Sequence, residues 1–236
     1  MCTADSALTT ALYCWRMHTT AFHETARVTT PVTLMTAEEL LAYPMPNTRT
    51  ELVRGRLIVR EPPGMRHGEC ALRLGVALSN YLTRDRETRA LAETRGRVLV
   101  GDSGFTLARN PDTVRGPDVA YVSRTRWSAP LPDGYGEFAP DLAVEIRSPN
   151  DRIGGVLAKV GDWLDAGTAL VWVVDPARQL VTVYRADGSQ AMLGAHDTLS
   201  GEDVLPGFAL PVAELLAAEP GRGARGGGGR VTRSVA

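Results

Sequence analysis

Residues 141–174 constrain the fold more than any other stretch of the chain. Residues 141–146 form a short apolar run, residues 151–166 carry helical spacing that Gly167 ends, and residues 169–174 are continuously apolar. An unbroken apolar run of that length, closed by Asp175-Pro176, is the pattern of a strand buried on both faces. Strand, helix and strand in this order predict an α/β (α+β) domain in which helices cover a sheet.

The neighbouring segments extend that reading. Thr36-Ala-Glu-Glu39 has the shape of a capping box and predicts a short helix at 36–42. Residues 51–60 place two β-rich runs about Arg54-Gly55, a hairpin pattern that Pro62-Pro63-Gly64 stops. Apolar residues between 66 and 82 recur at helical spacing, and short strands are expected at 97–100, 104–108 and 118–122. Residues 180–185 alternate and end at Ala186-Asp187-Gly188, a turn that predicts pairing with 191–193, and a last short helix is expected at 211–217. Residues 1–30 lack periodicity and residues 220–236 are rich in Gly and Arg, so the expected domain is 31–219 between a disordered arm and a disordered tail.

Composition sets outer limits. With 236 residues and 44% hydrophobic content the chain can bury a full core. No apolar run approaches the ~18 residues of a membrane helix, and no positive segment opens a signal peptide, which predicts a cytoplasmic protein with no membrane partner. Cys2, Cys14 and Cys70 have neither disulfide nor zinc-site spacing. The net charge of −1 argues against coating nucleic acid by bulk electrostatics. That charge is uneven, however: residues 49–126 carry +6 and residues 127–219 carry −9, which allows a basic face beside an acidic site.

Three groups carry the chemistry: Asp118 after Pro117 at the head of a strand, Glu145 near the end of residues 141–146, and Lys159 on the following helix. Two carboxylates on neighbouring strands can hold one divalent cation, and an ammonium beside them can orient or deprotonate water and offset charge on a phosphorane. Lysine suits that task because its surroundings can move its pKa toward neutrality, which a guanidinium does not allow. Of the 26 basic residues Lys159 is the only lysine.

The chain resembles the PD-(D/E)XK nuclease superfamily, and within it the Uma-two family of restriction-endonuclease-like proteins. The likeness covers residues 33–217 and runs through Thr36-Ala-Glu-Glu-Leu40, Glu51-Leu-Val-Arg-Gly-Arg56, His67, Pro117-Asp-Val-Ala-Tyr-Val122, Leu142-Ala-Val-Glu-Ile-Arg-Ser-Pro149, Lys159-Val-Gly-Asp-Trp-Leu-Asp-Ala-Gly167, Val171-Trp-Val-Val-Asp-Pro176 and Leu205-Pro-Gly-Phe208. It implies a restriction-endonuclease-like fold, a central mixed β-sheet flanked by helices, and a DNA endonuclease using magnesium or manganese. It also implies Asp118, Glu145 and the Ile146 carbonyl as metal ligands, and Lys159 as the catalytic lysine. The superfamily's lysine usually stands two residues after the glutamate; Arg147 occupies that place here, and Lys159 matches a lysine moved to the next helix. The same likeness makes Glu51 a further catalytic acid that helps bind metal or water, and His67 a phosphate contact or proton carrier.

Plainer readings stand beside these. Glu51 also fits an exposed hairpin carboxylate, His67 a capping or surface histidine, and Asp151 a helix N-cap. Arg147 and Ser148 follow Glu145 and are placed to touch a scissile phosphate, or Arg147 simply pairs with Asp118 or Glu145. Trp163 reads as core. Cutting both strands of a duplex calls for two sites, so the resemblance also implies a homodimer. Two other functions compete: a catalytically silent nucleic-acid- or partner-binding module on the same fold, and a carboxylate-pair glycosidase, which leaves the lysine unexplained.

Overall fold

The structure, a computed structural model, describes residues 33–43, 48–84, 96–127 and 129–217. The expected N-terminal arm and C-terminal tail lie outside the described residues. The core of the fold is a six-stranded mixed sheet in the order β10-β9-β8-β7-β6-β3, formed by β3 (Arg97–Val100), β6 (Val119–Val122), β7 (Leu142–Ile146), β8 (Leu170–Asp175), β9 (Leu180–Arg185) and β10 (Gln190–Leu193). Only β7 and β8 run parallel; helix α3 (Ile153–Asp165) joins them, and the other pairs are antiparallel.

Every residue of β7 and β8 is buried, as their apolar runs require. Alternation then sorts them between the two faces of the sheet. Leu142, Val144 and Ile146 meet helix α2 (Met65–Thr83) and the C-terminal helix α4 (Val212–Leu216) in one core cluster with Leu74, Leu78 and Trp172. Ala143, Val171 and Val173 face α3, whose Val156, Val160 and Trp163 recur at one-turn spacing and close the second cluster. Glu145 lies on this second face, so a charged group is carried into the layer between sheet and α3.

A second, four-stranded sheet in the order β2-β1-β5-β4 contains β1 (Arg49–Val53), β2 (Arg56–Arg60), β4 (Phe105–Ala108) and β5 (Thr113–Arg115). The β1–β2 hairpin closes through Arg54 and Gly55, both at positive φ, the two-residue turn that matches strand twist. Gly55 has a second reason to be glycine: a Cβ there would stand 2.6 Å from the Cβ of Leu34. Gly55→Ala should therefore cost about 1–3 kcal/mol in urea denaturation. A midpoint equal to that of the wild-type protein would show that the turn relaxes freely.

Helix α1 (Ala37–Leu41) begins with the expected capping box, Thr36 and Glu39 satisfying each other's backbone N–H. A small sheet of β11 (Thr198–Ser200) and β12 (Ala209–Pro211) completes the fold. Sequence periodicity does not reveal β5, β11 or β12: each has three residues, too few for alternation to register. Cys70 is buried in the α2 core, and no described helix is long and apolar enough to cross a membrane.

Candidate active site

Asp118 and Glu145 come together through sheet register. Val119 pairs with Val144 across β6 and β7, so one step further Asp118 stands against Glu145. The backbone locks the placement: Asp118 N–H donates to the Val144 carbonyl, and Ile146 N–H donates to the Asp118 carboxylate. Both carboxylates are buried, at 6% exposure each.

The distance that sequence could not give is short. Lys159 Nζ lies 2.7 Å from Glu145 Oε2 and 3.1 Å from Glu51 Oε1. Trp163, one turn along α3, donates its indole N–H to the other oxygen, Glu145 Oε1, at 2.9 Å. Two side chains of one helix face thus grip both oxygens of a carboxylate on the strand beneath. Trp163 is core, as expected, and a ligand of the site as well.

Glu51 is buried rather than an exposed hairpin carboxylate. Arg115 of β5 reaches its Oε2 at 2.8 Å and bonds Asp162 on α3 at 2.9 Å, tying the second sheet to the helix. His67 lies in the first turn of α2, with Nε2 3.1 Å from Asp118 Oδ1. Arg49 of β1 reaches the same oxygen at 3.0 Å and also bonds Asp102. These groups line a cleft of about 950 Å³, open to solvent between the hairpin and the start of α3.

Burial decides the charge states. It raises the pKa of Asp118, against the Ile146 N–H, Lys159 and Arg49. It raises that of Glu145 too, against Lys159 and with the help of the neighbouring Asp118 charge. For Glu51 burial is outweighed by Lys159, Arg115 and Arg60, which hold its carboxyl below the ordinary value. His67 is lowered by burial and by Arg49. Lys159 moves opposite to the sequence expectation: burial pulls its pKa down, but Glu145, Glu51 and Asp118 outweigh it and push the pKa up.

Two further sequence readings are corrected. Arg147 pairs with neither Asp118 nor Glu145; it bonds Asp175 at the end of β8 and the Asp151 carbonyl, because its N–H continues the sheet to Val174 and its side chain follows toward β8. Asp151 does not cap α3. Its carboxylate turns back to the Ser148 N–H at 2.7 Å, closing the turn at 148–151, and Arg152 takes the N-cap without a side-chain bond. Ser148 lines the cleft on that turn. Arg49, Arg60, Arg115, Asp102 and Asp162 were not singled out in the sequence. The only signal for Arg49 was its i, i+2 spacing to Glu51, which puts both on one face of β1.

A central mixed sheet flanked by helices, with acidic groups and a lysine gathered beside its inner strands β6 and β7, defines the restriction-endonuclease-like class of fold. Residues 37–213, well over half of the chain, match the Uma2 family, described as "Putative restriction endonuclease", and the chain belongs to that family. Among solved structures it is similar to a protein from Anabaena variabilis titled "putative nuclease belonging to DUF820", at 20% identity and a TM-score of 0.64, over 77% of this chain and 97% of the other. Comparison with the curated proteins gave no match.

Proposed function

We propose that the protein is a metal-dependent DNA endonuclease that hydrolyses phosphodiester bonds in this cleft. The observation that carries the reading is the meeting of Glu51, Asp118, Glu145 and Lys159, from two strands, the head of a third and a helix, in one open cleft. A core does not need three buried carboxylates, and Asp118 and Glu145, whose charge burial disfavours, weaken a fold and persist where chemistry uses them.

Among the described residues no three His, Cys, Asp or Glu side chains form a ready-made metal cage. The donor chemistry nevertheless fits a hard cation. Asp118 and Glu145 offer oxygens whose charge burial disfavours, and a divalent ion such as magnesium or manganese would relieve that penalty. Asp118, Glu145 and the Ile146 carbonyl would hold it, and it would supply Lewis-acid stabilisation of phosphate oxygens. Lys159, kept protonated, orients water and offsets negative charge at the phosphorus. Glu51, kept ionised, is the group placed to accept a proton from water; His67 lies against Asp118 Oδ1 beside Arg49.

The test is incubation with supercoiled plasmid in magnesium or manganese. Wild-type protein should convert it to nicked and linear forms, EDTA should stop the reaction, and Glu145→Ala and Lys159→Ala should leave the plasmid intact. No conversion by the wild-type protein with either metal, or equal conversion by the variants, would sink the proposal. Salt-dependent DNA binding without cleavage would favour the silent binding module.

A further inference from the structure

Six basic side chains line the cleft: Arg49, Arg60, Arg115, Arg147, Arg152 and Lys159. Three are held within the protein, Arg147 with its buried Nε unpartnered among the described residues. Arg115, 4% exposed, spends its donors on Glu51 and Asp162; Lys159 sits between two carboxylates; Arg147 is turned to Asp175. Arg152 is exposed at the start of α3, and among the described residues no bond fixes its guanidinium. Arg49 and Arg60 differ from all four.

These two face each other directly across the β1–β2 hairpin. Opposite residues of an antiparallel pair project to the same face at close range, where like charges repel. The pair is held instead by the acids of the site. Arg49 places only Nη2 on Asp118 and Asp102, leaving Nε and Nη1 without a partner among the described residues. Arg60 reaches Glu51 through Nε and Nη2 over 3.4 and 3.3 Å, long bonds, and leaves Nη1 open. Both side chains reach solvent, at 25% and 36% exposure. A guanidinium anchored on one edge with free N–H groups on the other has the geometry to take phosphate oxygens.

We infer that Arg49 and Arg60 form a phosphate clamp that grips the backbone of the nucleic-acid substrate beside Asp118 and Glu51. The inference rests on the nuclease reading and moves substrate contact from Arg147 to the hairpin. Asp102, at φ 60 in the turn after β3, is the outer anchor that holds Arg49 across the cleft. The clamp also answers an electrostatic problem: a polyanion must approach a site that carries three carboxylates, and two partly exposed cations on the approach side offset that repulsion.

Binding of a fluorescein-labelled DNA duplex, followed by anisotropy in calcium buffer over a salt series, tests it. Arg49→Gln and Arg60→Gln should each weaken binding by about tenfold, and each should flatten the slope of log K against log salt by about one. Arg178→Gln, the same charge change outside the cleft, should leave the slope unchanged. Melting curves establish that the variants are folded. If the wild-type protein nicks plasmid and binds duplex while both clamp variants keep its slope, the clamp is wrong and the nuclease reading stands. Flattened slopes in a wild-type background that binds without nicking support the clamp and remove the nuclease. A wild-type protein that neither binds nor nicks overturns both.

Discussion

Asp118→Asn should reduce plasmid cleavage by at least ~10³-fold while making the cation-free protein harder to melt. The two effects have one cause. The Asp118 carboxyl is buried, and burial raises its pKa above the ordinary carboxylate value in spite of the Ile146 N–H, Lys159 and Arg49 around it. The folded chain therefore holds that proton more tightly than the unfolded chain does. Stability from this group is complete below the unfolded pKa and is lost as pH rises through the raised folded pKa, so at neutral pH the ionised carboxylate costs stability. Asparagine has no such charge, can still accept from the Ile146 N–H, and leaves Arg49 its second anchor at Asp102. The gain should be about 1 kcal/mol, or about 2–4 °C in melting temperature for a chain of this size. It should be absent below the unfolded carboxylate's pKa and grow as pH rises through the raised folded value. Magnesium should reverse the order, raising the wild-type melting temperature and leaving the variant unmoved. A variant that melts below the wild-type protein throughout that range would show that the Asp118 charge is stabilising as it stands.

The sequence carried most of the sheet and half of the site. Strands β7 and β8 were legible as short apolar runs, helix α3 by its helical spacing, and the hairpin because Arg54-Gly55 interrupts two β-rich runs. What local pattern cannot carry is distance across the fold. Lys159 and Glu145 are 14 residues apart in sequence, and their 2.7 Å contact depends on how closely α3 packs on the sheet, which Val156, Val160 and Trp163 settle together. Trp163 was legible as core because its residue type and helix position announce burial. Its bond to Glu145 was not, since an indole N–H finds its acceptor only after packing. Arg147 shows what adjacency cannot give: it stands two residues after Glu145, just past the end of β7, and its guanidinium pairs with Asp175 rather than with Asp118 or Glu145.

Arg115→Ala should be the most destabilising change at the site. Arg115 is one of the few charged side chains in the core, 4% exposed, and it ties Glu51 of its own sheet to Asp162 on the helix that carries Lys159. Breaking a buried pair costs about 3–5 kcal/mol because the remaining charge is stranded. Here the lower end applies: Glu51 keeps Lys159 and Arg60, and Asp162, at 27% exposure, can draw on water. A loss of about 3 kcal/mol corresponds to a fall of about 6–12 °C in melting temperature. Acid should narrow the deficit. In the wild-type protein Lys159, Arg115 and Arg60 overcome burial and keep the Glu51 pKa low, so that group's stabilisation is present above its unfolded pKa and fades as pH falls through the folded value. Without Arg115 there is less of it to lose. Adding Glu51→Gln to Arg115→Ala should restore part of the stability, because the stranded charge goes with it, and the double-mutant cycle should show coupling of about 1–3 kcal/mol. Additive losses would mean that Arg115 stabilises by packing alone and that Glu51 owes its ionised state to Lys159.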